Sequence, residues 1–281
     1  MAPRRTRRRG PWRRACCGFV LPILGLLAVA FFSYAWAMNL MDALADYRSP
    51  VREALPAGPA LTPLTDCLVL VMVDGLRYDT ATEMPFLNEL AQQGAELTVV
   101  GQAPSLSQNA WTTLVTGASP QISGAPPLNV DDIARIEPIA GGDLFASARR
   151  QGLSTAVYGY YWWERMIPEE YRDAGAFTVG EDDAADREIL EPALAQLENA
   201  PADFTLIHLD QVDHAGHAGG GRSELYRQAA LRVDDYLREI AARLDLEHQT
   251  IVVLADHGHR NRGGHGGQEK TVLTTRLVAL G

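Results

Sequence analysis

Three apolar runs in this chain each end on an aspartate: "CLVLVMVD" (67–74), "FTLIHLD" (204–210) and "QTIVVLAD" (249–256). None alternates between apolar and polar residues as a strand with one wet face would. Strands of this kind are buried on both faces, which calls for a parallel sheet between helical layers. The intervening segments supply those layers. Helical patterns run through "FLNELAQQG" (86–94), "QNAWTTLVTG" (108–117), "GDLFASARRQG" (142–152), "AADREILEPALAQLEN" (184–199) and "SELYRQAALRVDDYLREIAARLD" (223–245). In the last of these, Leu225, Leu231, Tyr236, Leu237 and Ile240 mark the expected buried side. "ELTVVG" (96–101) and "STAVYGY" (154–160) add two strands. The predicted fold class is α/β, a mainly parallel central sheet with helices on both faces, preceded by one transmembrane helix.

That transmembrane helix is read from "ACCGFVLPILGLLAVAFFSYAWAM" (15–38), 24 residues without a charge, where a span needs about 20. Residues 1–14 before it carry seven arginines and no acid. This asymmetry predicts an N-terminus in the cytoplasm and everything downstream outside, with a signal anchor at 15–38. The alternative is a signal peptide cleaved after the small-residue triplet "AWA" (35–37) and a secreted product. Residues 39–65 read as a juxtamembrane linker and 66–281 as the catalytic domain. Beyond the arginine tail the chain holds 18 basic and 35 acidic residues, a net of −17, which excludes a general nucleic-acid binder. Lys270 is the only lysine, so lysine-based phosphate loops and Schiff-base chemistry are excluded too. Cys16, Cys17 and Cys67 form no visible disulfide framework.

In open α/β sheets, ligands bind beyond the carboxyl ends of the strands. Asp74 and Asp256 stand at such ends, and "FTLIHLD" runs directly into "QVDHAGHAGGG". The turn "ADHGHRNRGGHGG" (255–267) packs three histidines, one aspartate and five glycines into thirteen positions. Carboxylate and imidazole together suit zinc, manganese or iron. Asp213 and His217 lie four apart, so one helical turn or a tight loop aims both at one point. Asp256 and His257 are adjacent and converge only if His257 has left the strand; His265 returns on "GGHGG". His214 is expected to face elsewhere, and His259 to sit behind the ligands or in solvent. Ser107 falls where a loop enters a helix, whose N-terminal N–H groups favour an anion. Serine is also an ordinary helix cap there.

Taken together, "VMVDGLRYDT", a serine before a short helix ending "TG", "DHAGH" and "ADHGHRNRGGHGG" resemble, in this order, the alkaline phosphatase superfamily. The similarity is to its nucleotide pyrophosphatase/phosphodiesterase branch and to the related phosphoethanolamine transferases of lipid-anchor synthesis, over residues 67–281. It implies two divalent metal ions, zinc or alternatively manganese. Asp213, His217 and His265 would hold one. Asp74, Asp256 and His257 would hold the other, with Ser107 as both nucleophile and ligand. It further implies a hydrolase of phosphoric esters acting through a phospho-serine intermediate on a small phosphate ester or a lipid head group. A phosphoethanolamine-type transferase and a non-catalytic domain of the same fold are the alternatives.

The chain departs from the family in places. The diesterase branch has threonine followed by "FPN" where this chain has "SQNAW", which makes Asn109 a displaced candidate for a phosphate contact. The sulfatase maturation signal is absent after Ser107. Relatives usually continue past the strand matching "TVLTTRLVALG". "VYGYYWWERMIPEEY" (157–171), with six aromatics, reads as either an aromatic wall for a substrate group or a packing cluster.

Overall fold

The computed structural model describes residues 11–50, 62, 64–139 and 142–281. Most of the arginine tail and residues 51–61 of the linker lie outside them. The chain divides into two units, Met1–Asp46 and Tyr47–Gly281. The first is built on one helix, α1 (Pro11–Ala45), which carries Pro22 in its interior. Val20–Ala45 within it has a mean hydropathy of 2.0, and among the described residues it is the one helix long and apolar enough to cross a membrane. At 1.5 Å per residue its 26 residues reach about 39 Å, more than the roughly 30 Å of a hydrocarbon core.

The second unit follows the order β1 (Cys67–Val73), α2 (Tyr78–Ala81), α3 (Pro85–Gln93), β2 (Ala95–Val100), α4 (Ser107–Thr116), α5 (Pro120–Ser123), α6 (Leu144–Arg150), β3 (Thr155–Tyr160), α7 (Trp162–Met166), β4 (Ala174–Thr178), α8 (Asp183–Asn199), β5 (Phe204–Leu209), α9 (Gln211–Gly219), α10 (Glu224–Ala241), β6 (Gln249–Leu254), α11 (Lys270–Leu273) and β7 (Thr274–Leu280). The strands form one sheet in the order β2-β7-β6-β1-β5-β3-β4. From β6 to β4 every neighbour is parallel, whereas β7 runs antiparallel to both β6 and β2. The mainly parallel sheet is therefore present, with an antiparallel margin at one side. β4, with a half-exposed "AGAFT" sequence, had no sequence signal, because an edge strand needs no continuous apolar run.

Side chains of β1 alternate between two buried layers. Val69, Val71 and Val73 point, with Ile207, Leu209, Ile251 and Val253, into a core closed by α3, α8 and α10 through Leu87, Leu90, Ile189, Leu190, Val233, Leu237 and Ile240. Full burial of each such side chain contributes about 1.5–3 kcal/mol. The opposite face receives Trp111 of α4 and Phe145 of α6, whose ring lies 4.9 Å from that of Phe204. On α10 the buried stripe is Tyr226, Ala229, Ala230, Val233, Tyr236, Leu237 and Ile240. Leu225 is about half exposed, so the expected stripe is rotated to begin at Tyr226. Side-chain caps define three helix starts: Asp143 for α6, Asp182 for α8 and Ser223 for α10 each accept an N–H three residues on.

Candidate active site

β6, β1 and β5 are adjacent in the sheet, and their carboxyl ends carry Asp256, Asp74 and Asp210. Parallel pairing puts those ends on one edge, so three acids and the turns after them meet at one place. Asp210 leads into α9, on which Asp213 and His217 face the same way: His217 Nε2 lies 3.2 Å from Asp213 Oδ2. The turn after β6 brings back His257, His259 and His265. Gly264 and Gly266, at φ 77° and 94°, flank His265 in the left-handed region that favours glycine.

Among the described residues four groups of side chains converge tightly enough to share a cation. Asp245, Glu247 and His248 do so on the surface, Asp74, Asp210 and Asp213 as acids alone, and two groups combine carboxylate with imidazole at the strand ends. Asp213, His217, His259 and His265 form one of these two, and Asp74, Asp256 and His257 the other. All six candidates from the sequence are thus gathered as two sets. His257 has indeed left the strand: its Nε2 lies 3.4 Å from Asp256 Oδ2 and 3.5 Å from Asp74 Oδ1. Solvent is not the place of His259. It is fully buried, with Nε2 2.5 Å from Asp213 Oδ1, because Arg77 ties its carbonyl and the Asn261 side chain inward. His214 is half-exposed and turned to Glu181, as expected of a residue off the shared face.

Hydrogen bonds fix several of these rings. His265 Nδ1 donates to the Ser105 carbonyl at 2.8 Å, which leaves Nε2 as a lone-pair donor facing Asp213 and His217. The Trp111 indole N–H donates to both Asp256 Oδ2, at 2.9 Å, and Asp74 Oδ2, at 3.2 Å. His208, from β5, reaches the same Asp74 Oδ2 at 3.1 Å, its ring 4.4 Å from that of Trp111. Trp111 in turn stacks on Trp163, centroids 4.8 Å apart and planes 8° from parallel. Trp111 and His208 were invisible as site residues in the sequence, since nothing in "QNAWTTL" or "FTLIHLD" separates them from core.

Ser107 is the first residue of α4, and Leu106 occupies the cap position, so the serine hydroxyl is not used as a cap. It lies 3.5 Å from His257 Nε2. Ser105 is engaged instead in holding the His265 turn, donating to the Gly267 carbonyl and accepting from the Gly266 N–H. Thr112 spends its hydroxyl on the Gln108 carbonyl. Asn109 does not reach the cleft: it is buried, and its amide donates to the Pro126 carbonyl. Asn129 lines the cleft in its place. That cleft, about 270 Å³, is also lined by Asp74, Ser107, Trp111, Asp210, Asp213, His217 and His265, and by Asp131, Tyr160, Trp162 and Glu181.

The electrostatics are those of buried carboxylates gathered beside one another. Burial, then the negative charges of Asp256, Asp213 and Asp210, hold the Asp74 carboxyl well above the usual range. Burial lifts Asp256 to about 6 despite the Gly75 N–H. Burial acts upward on Asp213 as well, but hydrogen bonds from His217 and His259 hold it well below the usual range. Burial lowers His257 and His265 to about 4 each, so both are neutral lone-pair donors near pH 7. Asp74 Oδ1 is buried with no hydrogen-bond donor. Clustered carboxylates with an orphaned oxygen and neutral imidazoles are a donor set that suits a divalent cation. Two such sets beside an uncapped hydroxyl at a helix N-terminus are equipped for attack on phosphorus.

Comparison with known proteins agrees with this geometry. The family model described as type I phosphodiesterase / nucleotide pyrophosphatase matches residues 68–262. GPI ethanolamine phosphate transferase 2 of Eremothecium gossypii is 26% identical over 233 residues, covering 79% of this chain and 29% of the relative. The human GPI ethanolamine phosphate transferase 2, catalytic subunit, is 26% identical over 235 residues, covering 78% and 23%. The chain thus spans less than a third of the length of these relatives. Among solved structures, an inactive form of murine ectonucleotide pyrophosphatase/phosphodiesterase 5 in complex with AMP superposes with a TM-score of 0.58 at 17% identity, covering 69% of this chain and 57% of that one. A 2-O GAG sulfatase superposes with a TM-score of 0.61 at 13% identity, covering 77% and 64%. These structures share the fold, an alkaline phosphatase-like α/β sheet, and the family match covers Asp74, Ser107, Asp213, His217, Asp256 and His257 but ends before His265. The chain belongs to the type I phosphodiesterase / nucleotide pyrophosphatase family.

Proposed function

We propose that this chain carries the catalytic domain of a membrane-anchored, metal-dependent phosphotransferase that moves a phosphoethanolamine-type group from a lipid or other phosphodiester donor to an alcohol. The observation that carries the reading is Ser107: a buried hydroxyl, free of capping duty, 3.5 Å from His257 between two sets of cation-binding side chains. Asp213, His217 and His265, with His259 now beside them, would hold one divalent ion, and Asp74, Asp256 and His257 the other, with zinc the metal that fits the donors best. Bound there, the ions would lower the pKa of the serine hydroxyl and neutralise charge on the phosphoryl group. Ser107 oxygen bonds to phosphorus as the P–O bond to the donor alcohol breaks, and that alcohol leaves with a proton. The acceptor oxygen then bonds to phosphorus, the Ser107 O–P bond breaks, and the serine regains a proton. The positive end of the α4 dipole would favour the phosphoryl charge through both steps, while the Gln108 N–H of that first turn is held by Asn129 Oδ1 at 3.1 Å.

Transfer is preferred because the curated relatives bear transferase names. The second reading, hydrolysis with water as acceptor, is favoured by the phosphodiesterase description of the matching family model. Both run through the same serine ester. The test is to incubate metal-loaded protein with p-nitrophenyl phosphoethanolamine and to seek by mass spectrometry a peptide carrying phosphoethanolamine on Ser107. Adding a soluble alcohol should divert product from the hydrolysate to the new diester. A modified peptide without any diversion supports hydrolysis, and no modified Ser107 refutes the mechanism.

A further inference from the structure

The half of the cleft facing the cation-binding sets has a chemistry of its own, and it is built from the aromatic stretch 157–171 and its surroundings. Tyr160, Tyr161 and Trp162 pack edge-on, with ring centroids 4.7–6.1 Å apart. The Tyr160 hydroxyl donates to Glu181 Oε1 at 3.0 Å, which turns that carboxylate toward the rings; its other oxygen lies 3.5 Å from His214 Nδ1. Asp210 joins this half of the cleft to the cation-binding half: it is 9% exposed, its carboxylate converges with those of Asp74 and Asp213, and no described residue donates to it. Among the described residues no arginine or lysine lines the cleft. A second phosphate or another anionic substituent would therefore meet only acid and aromatic faces on this side. A cation would find carboxylates to accept its hydrogen bonds and ring faces to attract it.

We infer that Tyr160, Trp162, Glu181 and Asp210 form a subsite for the primary ammonium of the transferred group, one short spacer away from the phosphorus. The inference rests on the phosphoryl-transfer reading above and adds the residues that select the substituent. A primary ammonium is favoured over a quaternary one because it carries three N–H donors. Asp210 and Glu181 can accept these, whereas a trimethylammonium would leave a buried carboxylate without a donor. The Tyr160 hydroxyl, already committed to Glu181, orients the acceptor and does not meet the ligand as an acid.

The experiment compares kcat/KM of the metal-loaded full chain, in detergent, for three p-nitrophenyl phosphodiesters whose second substituent is aminoethyl, trimethylammonioethyl or ethyl. The aminoethyl ester should be preferred over the ethyl ester at least tenfold. Glu181→Gln, at a half-exposed position where the fold has little to lose, should cut that preference about tenfold through KM, and Glu181→Asp should restore part of it. Preference for the trimethylammonioethyl ester, or a preference that Glu181→Gln leaves intact, would overturn the subsite while leaving the transfer reaction standing. Failure of all three esters to turn over would overturn the transfer reaction and the subsite together.

Discussion

Replacing Gly216 by alanine sets two opposed effects against each other. Gly216 lies inside α9, where glycine costs about 0.8–1.0 kcal/mol relative to alanine, so propensity alone expects Gly216→Ala to stabilise the helix. The structure says otherwise. A Cβ at this position would stand 2.6 Å from both Cδ2 and Nε2 of His259 and 2.7 Å from its Cγ. Relieving that contact to ordinary separation means moving the ring about 1 Å. The same movement would stretch the 2.5 Å contact between His259 Nε2 and Asp213 Oδ1 beyond hydrogen-bonding range. Overpacking of this kind costs about 1–3 kcal/mol, so the net effect on folding is a loss of about 0–2 kcal/mol. The effect on the cation site should be larger, since a displaced partner of a ligand typically costs 10–100-fold in affinity. Urea unfolding of the metal-free protein and calorimetric zinc titration measure the two separately. A variant stabilised by about 1 kcal/mol that still binds zinc with undiminished affinity would refute the reasoning. His259 would then not depend on the space that Gly216 leaves.

Ser107→Ala should abolish turnover with little change in unfolding midpoint, because Leu106 rather than Ser107 occupies the cap position; full activity in this variant would move the nucleophile elsewhere. Ser105→Ala should keep the nucleophile but loosen the His265 turn, reducing metal affinity before it reduces kcat at saturating metal. Trp111→Phe keeps the stacked ring and deletes the N–H shared by Asp74 and Asp256, so metal affinity should fall 10–100-fold while stability drops by about 1–3 kcal/mol; unchanged affinity would mean the shared N–H is dispensable. Metal binding should weaken as pH falls through 7 and further below 6, by about one decade per pH unit for each ligand that must lose a proton, His217 first because its hydrogen bond to Asp213 raises its pKa above the usual histidine value. The sign follows from Asp256, which burial places at about 6 and which is therefore protonated below that pH in the metal-free protein. His257 and His265, near 4, are already deprotonated in this range and add nothing to the slope; calorimetry between pH 5 and 8 gives it directly. For topology, protease added to intact cells should digest residues beyond the apolar helix and spare the arginine tail, and full protection of the domain would place it on the cytoplasmic side.

Much of this molecule is written in local sequence. The apolar runs ending at Asp74 and Asp256 define parallel strands, because continuous hydrophobicity has no other place to go, and parallel strands bring their carboxyl ends to one edge. The four-residue step from Asp213 to His217 and the glycines around His265 define turns that aim ligating atoms, and these too are short-range. The uncharged stretch behind the arginines defines a helix of membrane length whatever follows it. Tertiary structure decided the rest. That β6, β1 and β5 are neighbours, so that Asp256, Asp74 and Asp210 share one site, depends on strand order, which no single run encodes. Trp111 and His208 became site residues only when α4 and β5 together met Asp74, since an indole N–H or an imidazole is core or function according to what it meets. Asn109 lost its place to Asn129 for the same reason: helix phase turned one amide toward Pro126, and a loop folding back across the cleft supplied the other. His259 went from an expected bystander to a buried partner of Asp213 because Arg77, distant in sequence, draws its loop inward. Distances between segments, set by packing, separate a ligand from a residue of the same type nearby.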